Sequence, residues 1–173
     1  MSGPLDWQSR IADAIRAAGV ETVAYVPDAR LRGIVSALEA YDVPRLRILT
    51  REEECLAYAC GHLAAGRRAM VLMQCSGLGN ALNALGSLCL SYGLGVPIVV
   101  SMRGTLGEGN LAQVPMGRAT PAILGALDIQ AFTLVDPERA GAITAGALEL
   151  AYRTGTGAAV ILDPILGGGR EAG

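Results

Sequence analysis

Apolar and polar positions change their period repeatedly along the chain, and each change marks an element. Trp7–Ala18 carries apolar residues three and four apart and stops at Gly19, which predicts a helix. Thr22–Val26 is a short β-rich run halted by Pro27. Helical spacing returns over Arg30–Ala40, a strand follows at Leu46–Leu49, and Glu52–Ala65 is a helix closed by Gly66. Ala69–Gln74 is an apolar run between turn signals and predicts a buried strand. After it come a helix over Asn80–Tyr92, a strand over Pro97–Met102 and a long polar loop over Arg103–Gly117. The chain then reads as a helix over Arg118–Leu127, a strand over Ala131–Val135, a helix over Pro137–Arg153 and a last strand over Ala158–Leu162.

Six strands alternating with helices predict an α/β fold, a three-layer αβα sandwich around a six-stranded parallel sheet. The strands read as continuous apolar runs, the pattern that burial on both faces demands. One domain over residues 1–166 accounts for them, with 167–173 as a loose tail. Ligands of such sheets sit at the carboxyl ends of the strands. That singles out Asp28, Glu52, the stretch Gln74–Asn80 and the loop opening at Arg103.

Composition narrows the function classes. The net charge is −2, so neither nucleic acid nor an anionic membrane is an expected partner. The most apolar stretch, Met70–Val100, is interrupted by Gln74, Ser76, Asn80, Asn83 and Pro97, and is not a membrane span. Residues 1–10 include Asp6, Gln8 and Arg10, unlike a secretory leader. The four cysteines, Cys55, Cys60, Cys75 and Cys89, form no C-x-x-C pair, and there is one His, so no metal site is expected. A reducing, cytoplasmic setting follows. All 14 basic residues are Arg, which, with the abundance of Ala and Gly, fits a GC-rich bacterial genome.

Thr50-Arg51-Glu52-Glu53-Glu54 has two readings. Thr50 with Glu53 makes a capping box, and acids suit the positive end of a helix. Alternatively, one carboxylate points out of the sheet edge as an acid–base group. Gln74–Asn80 reads as a Gly-rich turn between strand and helix, where backbone N–H groups can meet an anion, or simply as a tight turn of small residues. It matches neither a dinucleotide fingerprint nor a Walker loop. The loop from Arg103 is long for this fold class; Arg103 is either a bidentate anion holder or a solvated side chain. His62 reads as a packing or surface residue. Cys75 reads as a small buried residue, with a reactive thiol at the helix start as the alternative.

Six segments in order carry a resemblance: Val26-Pro27-Asp28, Arg51-Glu52 with Glu52 nine residues before Gly61, Met73–Asn80, Arg103-Gly104, Gly107-Glu108 and Ala112–Gly117. Together they resemble the pyrimidine-binding (Pyr) domains of thiamine-diphosphate enzymes of the sulfopyruvate and phosphonopyruvate decarboxylase kind, over nearly the whole chain. The resemblance implies a cofactor held between two domains, usually of different chains. The Pyr domain holds the aminopyrimidine. The other domain holds the diphosphate and Mg²⁺ through a Gly-Asp-Gly motif, which this chain lacks. A hetero-oligomer with a β subunit carrying that diphosphate/Mg²⁺-binding domain is therefore expected, acting on a small 2-oxo acid.

The family's catalytic Glu falls on Glu52, leaving Glu53 and Glu54 to cap. Its carboxyl group would bond the ring nitrogen of the aminopyrimidine in a dry interface, and the thiazolium would act as electron sink for CO₂ loss. Pro27, Asp28, Glu52, Gln74, Ser76, Gly77, Leu78 and Asn80 fall on the cofactor side. Asp28, Ala29, Cys75, Arg103 and Gln113 fall on the substrate side. Two residues depart from the pattern: Ala29 stands where Ser is usual and Cys75 where Asn is usual. Both point to a less polar substrate, or to an acyloin-forming carboligase that joins the decarboxylated fragment to a second carbonyl. A non-catalytic structural subunit and a free-standing anion-binding module are the alternatives of other classes; the first would sit oddly with the presence of Glu52. Leu82, Leu85, Leu88 and Leu90 surround their helix widely, as an interface or central core helix would.

Overall fold

The computed structural model describes residues 6–166. The loose tail expected at 167–173 lies outside the described residues, as do the first five residues of the segment read for a leader.

Helix α1 (Asp6–Ala17) buries Trp7, Ile11, Ala14 and Ile15, one face of a 3.6-residue period. Next in chain order are β1 (Thr22–Tyr25), α2 (Arg32–Glu39), β2 (Arg45–Ile48), α3 (Glu52–Ala64) and β3 (Ala69–Gln74). Helix α4 (Cys75–Ala84) follows β3 directly and continues as a π-helical turn, Leu85–Leu90. The chain is completed by β4 (Pro97–Ser101), a 3₁₀ turn at Leu111–Gln113, α5 (Val114–Ala126), β5 (Gln130–Leu134), a second 3₁₀ turn at Pro137–Arg139, α6 (Ala140–Thr154) and β6 (Ala158–Leu162).

The six strands form one sheet in the order β2-β1-β3-β4-β6-β5, every neighbouring pair parallel. Alternate strand residues face opposite layers. Val23, Tyr25, Met70, Leu72, Val99, Val160 and Leu162 pack with α1, α2 and α6. Ala24, Val71, Met73, Ile98, Val100, Ala159 and Ile161 pack with α3, α4, the π turn and α5. This is the expected three-layer αβα sandwich.

Three local expectations need correction. The doubly buried pattern holds for the inner strands, but β2 and β5 are the edges and expose Arg45, Arg47 and Ile48, and Gln130, Ala131 and Thr133. Residues 75–80 are not a turn before a helix; they are the opening turns of α4. Glycine weakens a helix by about 1 kcal/mol relative to alanine, and here Gly77 and Gly79 are retained because side chains from other segments press on them. The long loop is shorter than expected, since α5 begins at Val114, with Pro115 in its first turn where a missing N–H is harmless.

Candidate active site

Strands β2, β1, β3 and β4 lie side by side, so the residues that follow their carboxyl ends form one row. That row brings together Glu52, Asp28, Gln74, Ser101 and Arg103. Strand order reverses between β1 and β3, because the chain leaves β1 for β2 on one side and returns to β3 on the other. Such a switch point is where parallel α/β sheets open to ligands.

Asp28 and Gln74 meet across that switch point. Asp28 Oδ2 accepts from Gln74 Nε2 at 2.9 Å, and Oδ1 accepts from Ser101 Oγ at 3.0 Å and from the backbone N–H of Arg30 at 3.0 Å. A carboxylate only accepts, so the amide must turn its NH₂ to Asp28 and its Oε1 to Ser76, whose hydroxyl donates to it at 2.6 Å. The end of β1 is pinned in turn. Arg30 Nη1 and Nη2 donate to the carbonyls of Pro164 and Asp163 at 3.0 and 2.8 Å, just past β6. Sequence reasoning missed Ser101 and Arg30. Ser101 had one signal, a hydroxyl as the last residue of an otherwise apolar strand, and it pairs in register with Gln74.

The three acids after β2 divide their work. Glu54 Oε2 accepts the backbone N–H groups of Thr50 and Arg51 at 3.0 and 3.2 Å, so the cap is Arg51 with Glu54 and not Thr50 with Glu53. Glu53 pairs with the Arg51 guanidinium, which lowers its carboxyl pKa from the ordinary range. Glu52, the first residue of α3, is half-buried, and its carboxylate accepts no hydrogen bond among the described residues. Its side chain lies across Gly77. A Cβ there would overlap Glu52 Cγ, Cδ and Oε1, so the bare glycine is what lets the carboxylate occupy this place.

Arg103 is partly exposed and paired within its own chain. Its Nε and Nη2 donate to Glu108 at 3.0 and 3.3 Å. The same carboxylate accepts the N–H groups of Gly104 at 3.2 Å and Asn110 at 2.9 Å. These donors, with Arg103 foremost, hold the Glu108 carboxyl down to about 2. The anion that Arg103 grips in bidentate fashion here is one of this chain's own. Gly104, at φ +73°, and Gly117 let two motif segments clasp backbone to backbone. A Cβ on Gly104 would stand 2.8 Å from Val114 Cα, and one on Gly117 would stand 2.8 Å from the carbonyl carbon of Arg103. Met116 lies over Gly79, where a Cβ would stand 2.6 Å from its terminal methyl.

The remaining expected residues separate. Cys75 is fully buried, its thiol accepts from Arg103 N–H at 3.3 Å, and burial raises its pKa. Its side chain braces the loop from the core side. Leu78 is likewise fully buried, in the core shared with α3 and β3. Pro27, Ala29 and Asn80 are exposed. Gln113 is half-buried, with Oε1 buried and unpartnered among the described residues. His62 stands on α3 with its ring centroid 4.9 Å from that of Tyr58, apart from this row.

A carboxylate left free by its neighbours, over a glycine floor, suits an uncharged ring nitrogen that shares a proton with it. The sequence pattern of thiamine pyrophosphate enzymes, N-terminal TPP binding domain, matches residues 6–104. The chain belongs to that family. This chain is 37% identical over 159 residues to sulfopyruvate decarboxylase subunit alpha of Methanothermobacter thermautotrophicus, covering 92% of this chain and 96% of that subunit. The subunit alpha of Methanococcus maripaludis is also 37% identical, over 88% of this chain and 91% of that subunit. Phosphonopyruvate decarboxylase of Streptomyces hygroscopicus is 33% identical, over 68% of this chain and 30% of that enzyme. The fold of this chain superposes on 2-oxoglutarate:ferredoxin oxidoreductase from Magnetococcus marinus with a TM-score of 0.76 at 17% identity, over 92% of this chain and 29% of that one. Among the described residues no helix is long and apolar enough to cross a membrane.

Proposed function

We propose that this chain is the Pyr (alpha) subunit of a split thiamine-diphosphate-dependent decarboxylase of a small 2-oxo acid, with Glu52 as its catalytic residue. The observation that carries the reading is the Glu52 carboxylate lying over Gly77 while Glu53 and Glu54 are occupied by Arg51 and the helix cap. Glu52 would hold a proton between its carboxyl oxygen and the ring nitrogen of the aminopyrimidine. When bound, thiamine diphosphate supplies the electron sink for loss of CO₂. Gly77 would leave space beside that carboxylate. Asp28, fixed by Gln74, Ser101 and Arg30, would present a rigid polar edge to the substrate side, with exposed Pro27 and Ala29 next to it. Gln74 and Ser76 would orient that edge, and Asn80 and Gln113 would border the junction with a partner.

A β subunit carrying the diphosphate and Mg²⁺ site completes the proposal and makes the active species a cytoplasmic hetero-oligomer. What supports the split is the coverage. The chain spans nearly all of relatives named subunit alpha, but 30% of the phosphonopyruvate decarboxylase. The second reading is an acyloin-forming carboligase on the same scaffold. The methyl group of Ala29 beside Asp28 favours it, and adding an acceptor aldehyde while following products separates the two.

The test is Glu52→Gln in the chain co-purified with its β partner. Expected are intact assembly, retained cofactor binding by calorimetry, and a fall in CO₂ release on the order of 10²–10⁴-fold, the usual worth of a positioned acid–base group. Full activity in that variant would refute the role of Glu52.

A further inference from the structure

Cys60 and Cys89 stand 29 residues apart in the chain, yet their sulfur atoms meet at 3.0 Å. Cys60 lies on α3, eight residues beyond Glu52, and Cys89 lies in the π turn that continues α4. Both are buried, at 3% and 0% exposure, in the apolar layer shared by α3, α4 and β3. A disulfide needs about 2.05 Å between its sulfurs, so closure asks for a shift of about 1 Å from the contact seen. The other cysteines are placed differently. Cys75 is engaged with the backbone of Arg103, and burial with the carboxylates of Glu52 and Glu54 pushes the Cys55 thiol up to about 12.

We propose that Cys60 and Cys89 are an oxidisable dithiol, a covalent modification site that takes a peroxide as co-reactant and closes to an internal disulfide. Cys60, at 3% exposure against 0% for Cys89, is the residue that a small oxidant meets first. It attacks as the thiolate. Its sulfur takes one peroxide oxygen, the O–O bond breaks, and one water leaves, giving a sulfenic acid. Cys89 then attacks that sulfur, the S–O bond breaks, and a second water leaves with the two thiol protons accounted for. Two electrons pass from the sulfur pair to the peroxide. The new bond ties α3 to the π turn after α4, the two helices whose opening residues bring Glu52 over Gly77. Burial at 3% and 0% exposure excludes bulky disulfide reagents, so the co-reactant is a small uncharged oxidant.

The experiment treats the full-length chain with hydrogen peroxide, alkylates it in denaturant and maps the peptides by mass spectrometry. Alkylatable thiols should fall from four to two, with the mass of two hydrogens lost and one cross-linked pair joining Cys60 and Cys89. Cys89→Ala should instead leave a sulfenic acid that dimedone traps at Cys60. Four surviving thiols, a bond through Cys55 or Cys75, a link between two chains, or a dimedone adduct elsewhere than Cys60 would each overturn the proposal.

Discussion

The carboxylate of Glu52 lies across the bare α-carbon of Gly77, closely enough that any side chain at position 77 would overlap it. The contact joins the first residue of α3 to the first turn of α4, two helices that share one apolar layer. A residue with poor helix propensity is thereby held within a helix for the sake of a neighbour.

Gly77→Ala separates that role from folding. Alanine favours the helix by about 1 kcal/mol, and the flexible Glu52 side chain can swing aside, so the thermal midpoint should stay level or rise. Displacing a reacting group by about 1 Å can lose 10²-fold in rate. If Glu52 acts as proposed, a comparable fall in CO₂ release by the assembled enzyme, at a midpoint no lower than the parent's, is the expected result. Unchanged turnover would show that the position of Glu52 over Gly77 is not used.

Asp28 accepts three hydrogen bonds, from Arg30, Gln74 and Ser101. In Asp28→Asn one of those acceptor places becomes a donor and faces the NH₂ of Gln74. Losing charge-assisted bonds of this kind costs about 1.5–3 kcal/mol. Ser101→Ala removes a single one of these bonds and should cost about 1.5 kcal/mol, the lower end of that range. Urea titrations of the two variants should reproduce that ranking, and the reverse order would mean that Asp28 is held by something else.

Glu108 sets an acid limit on the loop. Its folded pKa, about 2, lies below the ordinary 4.5, so the stability it adds is complete above about 4.5 and drains away as pH falls toward 2. Glu108→Gln should be less stable than the parent at pH 7 and nearly equal to it near pH 2. Protease cleavage within residues 103–113, followed from pH 7 to pH 3, should speed up in the parent and stay uniformly fast in the variant. A parent loop that is equally protected at both pH values would contradict the role of the Arg103–Glu108 pair.

Cys75 should behave as a structural residue. Its thiol is buried and accepts a backbone N–H from Arg103. Iodoacetamide at neutral pH should leave it unmodified in the folded chain. Cys75→Ala should lose about 1 kcal/mol, and Cys75→Ser should recover part of that by restoring an acceptor. Rapid native alkylation at Cys75 would reverse this reading.

Much of the molecule was legible before folding. A period of 3.6 or 2 records which side of a segment is buried, and that is enough for six strands, their intervening helices and a parallel sheet. The motif residues around Glu52, Gln74 and Arg103 marked the carboxyl edge for the same reason, since each follows a strand. Relationships between segments were another matter. Edge position depends on which strands pair, so exposure of β2 and β5 is invisible within either segment. Of three adjacent acids, the free one is chosen by the extended backbone of Arg51, which starts the helix one residue later than Thr50 with Glu53 would have it. Arg103 is claimed by Glu108 through a turn in which Gly104 and Gly107 take positive φ. Gly77 within a helix, and Cys60 against Cys89, follow from contacts made only when distant segments pack. The sequence by itself determined the elements and the edge where the site lies, because local burial is written in local periodicity. The tertiary structure alone decided which carboxylate is left free and which cation is taken, because those outcomes belong to pairs of segments and not to either one.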